Sequence, residues 1–433
     1  MPAPKRLAPA LERALRTRQA ERLPSVAAAV VRDGETIWSD AVGTADDGEQ
    51  REATAGTQYR VGSITKTFTA VAVMQLRDAG ELDLDDRLER HVPGVPEGSP
   101  TIRRLLAHLS GYQREPGEMW VTGEAPSAEG MMASLERYEF VLPAARAYHY
   151  SNLAYGLLGE TVARRSGRPY TEYVDERIIG PLALARTTWQ PQPPFAQGYL
   201  VGEYTGTLHR EPHTDLRGIA AMGQLWSTVG DLCTWAAFLA GGRDGVLGEA
   251  TVDEMWAPQV MVNPNLWDLG WGLGLELVNR DGKIFGGHGG AMPGHLAGVY
   301  VNRDSRVGAA ALTNSGTRGP MKELALELAL TTLEQWPAEI EPWRPEAEPP
   351  AAVCAILGRW WSEGNEHVFS WEGGSLHARL VGAPEHVEPS VFEADGEGFR
   401  VVKGRERGER LRVDGDRLVW GGYLFTRSQQ PMA

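Results

Sequence analysis

The sequence predicts an α+β fold in which one antiparallel sheet, built from segments far apart in the chain, is flanked by helices and interrupted by a helical insertion, with a small all-β domain following. Three observations predict it. β-rich runs stand near residue 25 and again from about residue 271, with helical patterns between them. The stretch from Leu82 to about Trp226 alternates helical segments with Pro/Gly-rich loops and has little strand character. After the Pro/Glu-rich stretch "WPAEIEPWRPEAEPPAA", short alternating runs are separated by Gly/Asp turns.

In chain order, "MPAPKRLAPALERALRTRQAERLPSV" has the spacing of an amphipathic surface helix. "SVAAAVVRDGETIWSDAVG" reads as two strands joined by a turn at Asp33-Gly34. "RVGSITKTFTAVAVMQLRDAG" then opens a mostly buried helix whose apolar positions include Phe68, Val71, Met74 and Leu76 and which Gly80 closes. "TIRRLLAHLSGY" and "SNLAYGLLGETVARR" are helical segments of the insertion, and "STVGDLCTWAAFLAGG" is a helix with Ser227 as its expected N-cap. "GWGLGLELVNRDGKIFGGHGG" and "HLAGVYVNRDSRVGAAALTNSG" return to hairpin-linked strands, and "PMKELALELALTTLEQW" ends the region as a helix. The expected domains are residues 1–336, a linker over 337–352, and an all-β unit over 353–433.

Composition narrows the function. The net charge of −14 argues against nucleic acid or an anionic membrane surface as a partner. The N-terminal stretch has no apolar run of the signal-peptide kind, no stretch approaches the roughly 18 apolar residues of a membrane span, and the two cysteines, Cys233 and Cys354, fall in different expected domains. A cytoplasmic location is the expectation. "HREPH" places His209 beside His213, but Pro212 breaks a regular helix there and no further His or Cys lies close in sequence. No metal and no cofactor is expected, and the sequence gives no reading of oligomeric state.

Ser63 and Lys66 sit at i and i+3 where a glycine gives way to the apolar helix. Taken alone, Ser63 is equally an N-cap. Lys66, however, falls in a first helical turn, where the helix dipole disfavours a cation, and among neighbours that bury it. Both effects lower its pKa, and a neutral lysine one turn from a serine hydroxyl is a candidate general base. Two further stretches bear on this pair. In "AYHYSNLAYGLLGE", Tyr150 and Asn152 alternate ahead of a helix, and in "FGGHGGAMPGH", His288 leads Gly289 and Gly290 in strand-like sequence. Singly, these residues read as a packed aromatic, a cap and a turn histidine.

Together and in this order, Ser63-x-x-Lys66, Tyr150-x-Asn152 and His288-x-Gly290 resemble the motifs of the penicillin-recognising serine hydrolases: class C β-lactamases, DD-peptidases, and their esterase and D-aminopeptidase relatives. The resemblance covers about Leu23 to Trp336 and includes "LLAHLSGY" and "GQLWSTVGDL". It implies a β-lactamase/transpeptidase-like domain and catalysis through an acyl-enzyme on Ser63. Lys66 or Tyr150 would be the base, with Tyr150 acidified by a nearby lysine cation. Asn152 would orient Lys66 and a substrate carbonyl. His288 would take the place of the residue that opens the third motif. Gly289 and Gly290 would leave room for substrate backbone, and the backbone N–H groups of Ser63 and Ala291 would form the oxyanion hole. Trp120, Trp226, Trp267 and Trp271 are candidates for an apolar substrate pocket, Trp226 above all, with core packing as the alternative.

His288 stands where true β-lactamases carry a lysine, which implies weak or absent β-lactamase activity. The C-terminal unit resembles the lipocalin-like appendage of some relatives. The substrate class implied is a small molecule or peptide, either an ester or a D-configured peptide. An alternative is a penicillin-binding-protein-type thioesterase that passes a carrier-protein-bound peptide to its own amine, and a third is a β-lactam-binding sensor without turnover. An α/β-hydrolase is excluded, because no Gly-x-Ser-x-Gly accompanies "GGHGG".

Overall fold

A computed structural model describes residues 4–317, 319–337, 339, 342–345, 347–384 and 386–429. The chain divides into two compact units, residues 1–338 and 339–433. Part of the expected linker, residues 338, 340, 341 and 346, lies outside the described residues.

The first unit is organised on a nine-stranded sheet. Its strands are β1 (Ser25–Arg32), β2 (Glu35–Asp46), β3 (Arg51–Glu52), β4 (Val260–Met261), β5 (Leu269–Trp271), β6 (Glu276–Arg280), β7 (Lys283–Met292), β8 (His295–Asn302) and β9 (Val307–Thr313), in the spatial order β3-β2-β1-β9-β8-β7-β6-β5-β4. All neighbouring strands pair antiparallel. β1 and β9 join the two distant segments, with Val26 opposite Thr313 and Arg32 opposite Val307. Asp33 and Gly34, at φ +51° and +86°, make the tight turn expected between β1 and β2.

β1 reads as a continuous apolar run because both of its faces are covered. Val26, Ala28 and Val30 pack with Leu7, Leu11 and Leu15 of α1 (Leu7–Gln19) and with Met321, Leu324 and Leu328 of the last helix, Met321–Gln335. Ala27, Ala29 and Val31 face a second core containing α2 (Thr65–Asp78), α3 (Asn152–Ser166) and α4 (Val229–Gly241). Residues 65–76 of α2 are all buried, so the helix shows little amphipathic contrast.

The helical insertion is more broken than its sequence suggests. "TIRRLLAHLSGY" holds only the one-turn helix Ile102–Leu106, capped by Thr101. Tyr199–Val201 and Leu208–Arg210 pair as short strands within it. Ser227 does not cap α4: Thr228 does so, accepting a hydrogen bond from the Asp231 N–H, while Ser227 and Trp226 pair in a short ribbon with Tyr59 and Arg60.

The second unit is an eight-stranded antiparallel sheet running in simple chain order from Gly358–Ser362 to Tyr423–Phe425, nearly closed into a barrel by the bridge between Trp361 and Thr426. Its own core includes Ile356, Trp360, Phe369, Phe392, Leu411 and Phe425. Each unit therefore has a separate apolar core, and residues 1–336 expressed alone are expected to unfold in one cooperative thermal transition. A truncated chain without such a transition would show that the first unit depends on the second.

Candidate active site

Ser63 does not cap the helix that follows it. It lies in the 3₁₀ turn Gly62–Ile64, and the residue that precedes α2, Ile64, makes no side-chain cap. The turn hangs from the ribbon, with the Val61 N–H donating to Leu225 O at 3.0 Å and Thr65 Oγ1 donating to Gly62 O at 2.7 Å. Gly62 has φ +52°, and a Cβ there would lie 2.9 Å from the Ala291 nitrogen, so the serine turn and β7 run in near contact. The reciprocal position on β7 is Gly290, where a Cβ would lie 1.9 Å from Val61 O. The side of Gly290 on which a Cβ would stand is therefore filled by the chain's own backbone, while the residue still lines the cavity. Gly289 differs, since its Cβ would meet nothing closer than Tyr300 Oη at 3.6 Å, and it lines the cavity.

Lys66 is wholly buried behind the serine. Its Nζ lies 3.2 Å from Ser63 Oγ and 2.6 Å from Met222 O, with the rings of Tyr150 and Tyr155 centred 5.0 and 5.5 Å away. Burial drives its pKa well below the ordinary lysine value. The Glu115 carboxylate opposes this shift and the Arg114 guanidinium reinforces it. A neutral amine here donates to Met222 O and keeps its lone pair for the serine.

Tyr150 and Asn152 are held by the segment 108–114. The His149 N–H donates to His108 O at 2.9 Å, the Ser151 N–H to His108 Nδ1 at 3.1 Å, and the Asn152 N–H to Arg114 O at 2.7 Å. The His108 ring stacks on Tyr150 with centroids 4.3 Å apart. The Tyr150 phenol is shifted upwards, since burial outweighs its hydrogen bond to Ser63 and the field of Arg114. This corrects the expectation of a lysine-acidified tyrosine. Lys66 lies over the ring, but burial disfavours its charged form, and burial raises the Tyr150 phenol by more than Ser63 and Arg114 lower it. Asn152 also differs from expectation. Its Nδ2 donates to Glu115 Oε1 at 2.7 Å and not to Lys66, and its Oδ1 is buried without a partner. The cap of α3 is Ser151, whose Oγ accepts from the Ala154 N–H.

His288, on β7, is buried with its ring 5.2 Å from that of Trp271, and Nδ1 contacts Gly289 O. Burial, aided by the field of Lys66 and opposed by Glu276, pushes its pKa down to about 4, so the ring is neutral at neutral pH. These groups meet at one cavity of about 860 Å³, lined by Ser63, Tyr150, Asn152, His288, Gly289, Gly290 and Ala291. Trp120 and Trp271 also line it. Trp267 is 70% exposed elsewhere. Trp226 does not line the cavity: it is 1% exposed, packed among Phe195, His213 and His295, because its ribbon position turns the ring into the core.

Sequence reasoning missed the charged wall. Arg114 and Glu115 line one part of the cavity, and Glu276 and Lys322 another. Glu276 accepts from Lys322 Nζ and from Tyr300 Oη, both at 2.5 Å. Burial raises the Glu276 carboxyl, but these partners outweigh it and the pKa falls below the usual carboxylate value. Glu115 Oε1 lies 3.4 Å from Arg114 Nε, while Oε2 is buried without a hydrogen-bond partner. The available signal was an acid inside an apolar strand, "GLELV", which needs a partner if buried.

A sheet with helices on both faces and a serine, a buried lysine and a tyrosine at one cavity define a β-lactamase-like serine hydrolase. Residues 11–333 match the family model described as "Beta-lactamase", and the chain belongs to that family. Residues 349–427 match a domain of unknown function, DUF7586. Among curated proteins the chain is similar to "D-aminopeptidase" of Brucella anthropi, 25% identical over 91% of this chain and 77% of that one. It is 29% identical to "Penicillin-binding protein 4" of Amycolatopsis lactamdurans, over 81% of this chain and 96% of that one. "Beta-lactamase-like protein 2" of Dictyostelium discoideum is 31% identical over 56% of this chain, which spans about half, 47%, of that relative's length. A D-stereospecific amidohydrolase from Streptomyces sp. superposes with a TM-score of 0.64 at 28% identity, over 74% of this chain and 98% of that one.

Proposed function

We propose that the protein is a serine amidohydrolase that cleaves small amides, esters or short peptides bearing a free α-amino group, D-configured by analogy with the D-aminopeptidase and the D-stereospecific amidohydrolase it is similar to. The observation that carries the reading is the fully buried Lys66 Nζ, 3.2 Å from Ser63 Oγ. Neutral Lys66 takes the Ser63 proton as Oγ attacks the acyl carbon. The resulting oxyanion accepts hydrogen bonds from the Ser63 and Ala291 N–H groups. Collapse breaks the C–N bond, and the leaving amine takes a proton relayed from Lys66 by the Tyr150 hydroxyl. Water then attacks the Ser63 ester, releasing the acid and restoring the hydroxyl. His288 stays neutral and shapes the cavity. The unpartnered Glu115 Oε2 supports the free-amine preference, because a substrate ammonium would satisfy it.

Incubation with a fluorophosphonate is expected to give a single adduct on Ser63 by mass spectrometry, and none in Ser63→Ala. Turnover that survives in Ser63→Ala would overturn the mechanism. Glu115→Gln is expected to raise KM about tenfold or more for D-alanyl anilide while leaving its N-acetyl derivative unaffected, since only the former presents an ammonium. An equal effect on both would remove the free-amine preference and leave the acyl-enzyme chemistry standing.

A further inference from the structure

The barrel of the second unit has a cavity of about 440 Å³ at one end, between the turns and loops that follow Ser362, Lys403 and Trp420. The interior below it is filled by the apolar core, so the cavity is a mouth and not a channel. Two of its lining side chains carry a buried polar atom with no partner: Ser362 Oγ and Trp420 Nε1. Ser362 and Trp420 are each only 7% exposed. A buried indole N–H without an acceptor costs on the order of 1–3 kcal/mol, and two unpartnered polar atoms on residues lining one space are the mark of a site that a polar ligand completes.

The lining also indicates the kind of ligand. Trp420 Nε1 can only donate, so the ligand must offer an acceptor. The Trp420 and Phe425 rings stack with centroids 5.6 Å apart and His367 stands edge-on to Phe425 at 5.2 Å, which gives an aromatic wall for an apolar group or a cation. Burial holds His367 below its ordinary pKa, so it adds no positive charge. Glu363, Glu406 and Glu409 line the mouth against the single guanidinium of Arg405, and among the described residues neither Glu363 nor Glu409 has an ion-pair partner. That excess of carboxylates disfavours an anion.

We propose that this end of the C-terminal barrel is a binding site for a small organic cation that also carries a carbonyl acceptor, of the amino-acid amide class. The ammonium lies among the carboxylates, the carbonyl accepts from Trp420 Nε1 and Ser362 Oγ, and the side chain rests on the aromatic wall. The site is separate from the Ser63 cavity in residues and in unit.

The test uses the full chain with Ser63→Ala, so that nothing is turned over, and ¹⁵N-labelled tryptophan. Trp420→Phe identifies the Trp420 indole resonance. Titration with phenylalanine amide is expected to move that resonance saturably. Ser362→Ala should weaken the binding roughly three- to tenfold, the loss of one hydrogen bond, and phenylacetate should not move the resonance. Binding at the Ser63 cavity would appear separately, at the resonances of Trp120 and Trp271. A Trp420 resonance that does not move, or moves without saturating, up to about 10 mM amide would overturn the proposal. So would a response to phenylacetate equal to that of the amide. The wild-type Ser362 titration decides the question even if Ser362→Ala does not fold.

Discussion

Lys66→Met is expected to lower the rate of Ser63 acylation about 10³-fold or more while leaving the chain folded, because it removes the amine that stands 3.2 Å from Ser63 Oγ and fills the same buried volume with an apolar side chain. In the wild type, acylation should rise with pH through the lowered Lys66 pKa and then level off, since the neutral amine is the active form in the proposed mechanism. Tyr150, shifted up, stays protonated across that range, and His288, at about 4, is already neutral, so neither adds a limb between pH 5 and 8.

Stability gives an independent readout of the same group. The unfolded chain holds the Lys66 proton up to about pH 10.4, whereas the folded chain releases it at a lower pH. Between those two values the unfolded state binds more protons, so wild-type stability rises with pH there. Relative to Lys66→Met, the wild type should therefore lose stability as pH falls from about 10.4 to the folded-state value, and no further below it. Thermal unfolding across pH measures this. Parallel curves for the two proteins would show that Lys66 titrates normally and is not the base.

Gly290→Ala is expected to cost about 3 kcal/mol of stability and to lower activity at least about 10²-fold. A Cβ at that position meets Val61 O at 1.9 Å, a backbone atom, so the strand and the serine turn must separate. Separation moves Ser63 away from Ala291, and the oxyanion hole proposed for their N–H groups would depend on that spacing. Gly289→Ala, one residue earlier, meets nothing closer than Tyr300 Oη at 3.6 Å and should unfold within about 0.5 kcal/mol of wild type, changing substrate fit alone. Denaturant titration and steady-state rates of the two variants together check the argument. Equal tolerance of both would show that the contact between β7 and the serine turn does not position the nucleophile.

Much of this was legible in one dimension. The turn at Asp33-Gly34 showed because left-handed backbone selects those residues, and α2 showed because its apolar run closes on Gly80 at φ +74°. Ser63, Lys66, Tyr150 and His288 stood out because local spacing and motif order carry chemistry. What failed were inferences about contacts between segments. Trp226 was offered to the substrate, yet pairing of Tyr59–Arg60 with Trp226–Ser227 turns it inward. Asn152 was offered to Lys66, yet Glu115, 37 residues earlier, takes its amide.

By itself, then, the sequence determined which residue types could perform acyl transfer and how the chain divides into elements, since propensity, turn chemistry and periodicity act over a few residues. Only the tertiary structure decided the protonation states and the use of space. The Lys66 pKa lies well below the ordinary lysine value because long-range packing removes water from around it, and the Tyr150 phenol is shifted upwards for the same reason. Gly290 is a glycine because Val61, more than two hundred residues away in sequence, crosses against it. Burial and apposition are properties of surfaces that meet only when the chain has folded, and one strand's sequence does not record what covers it.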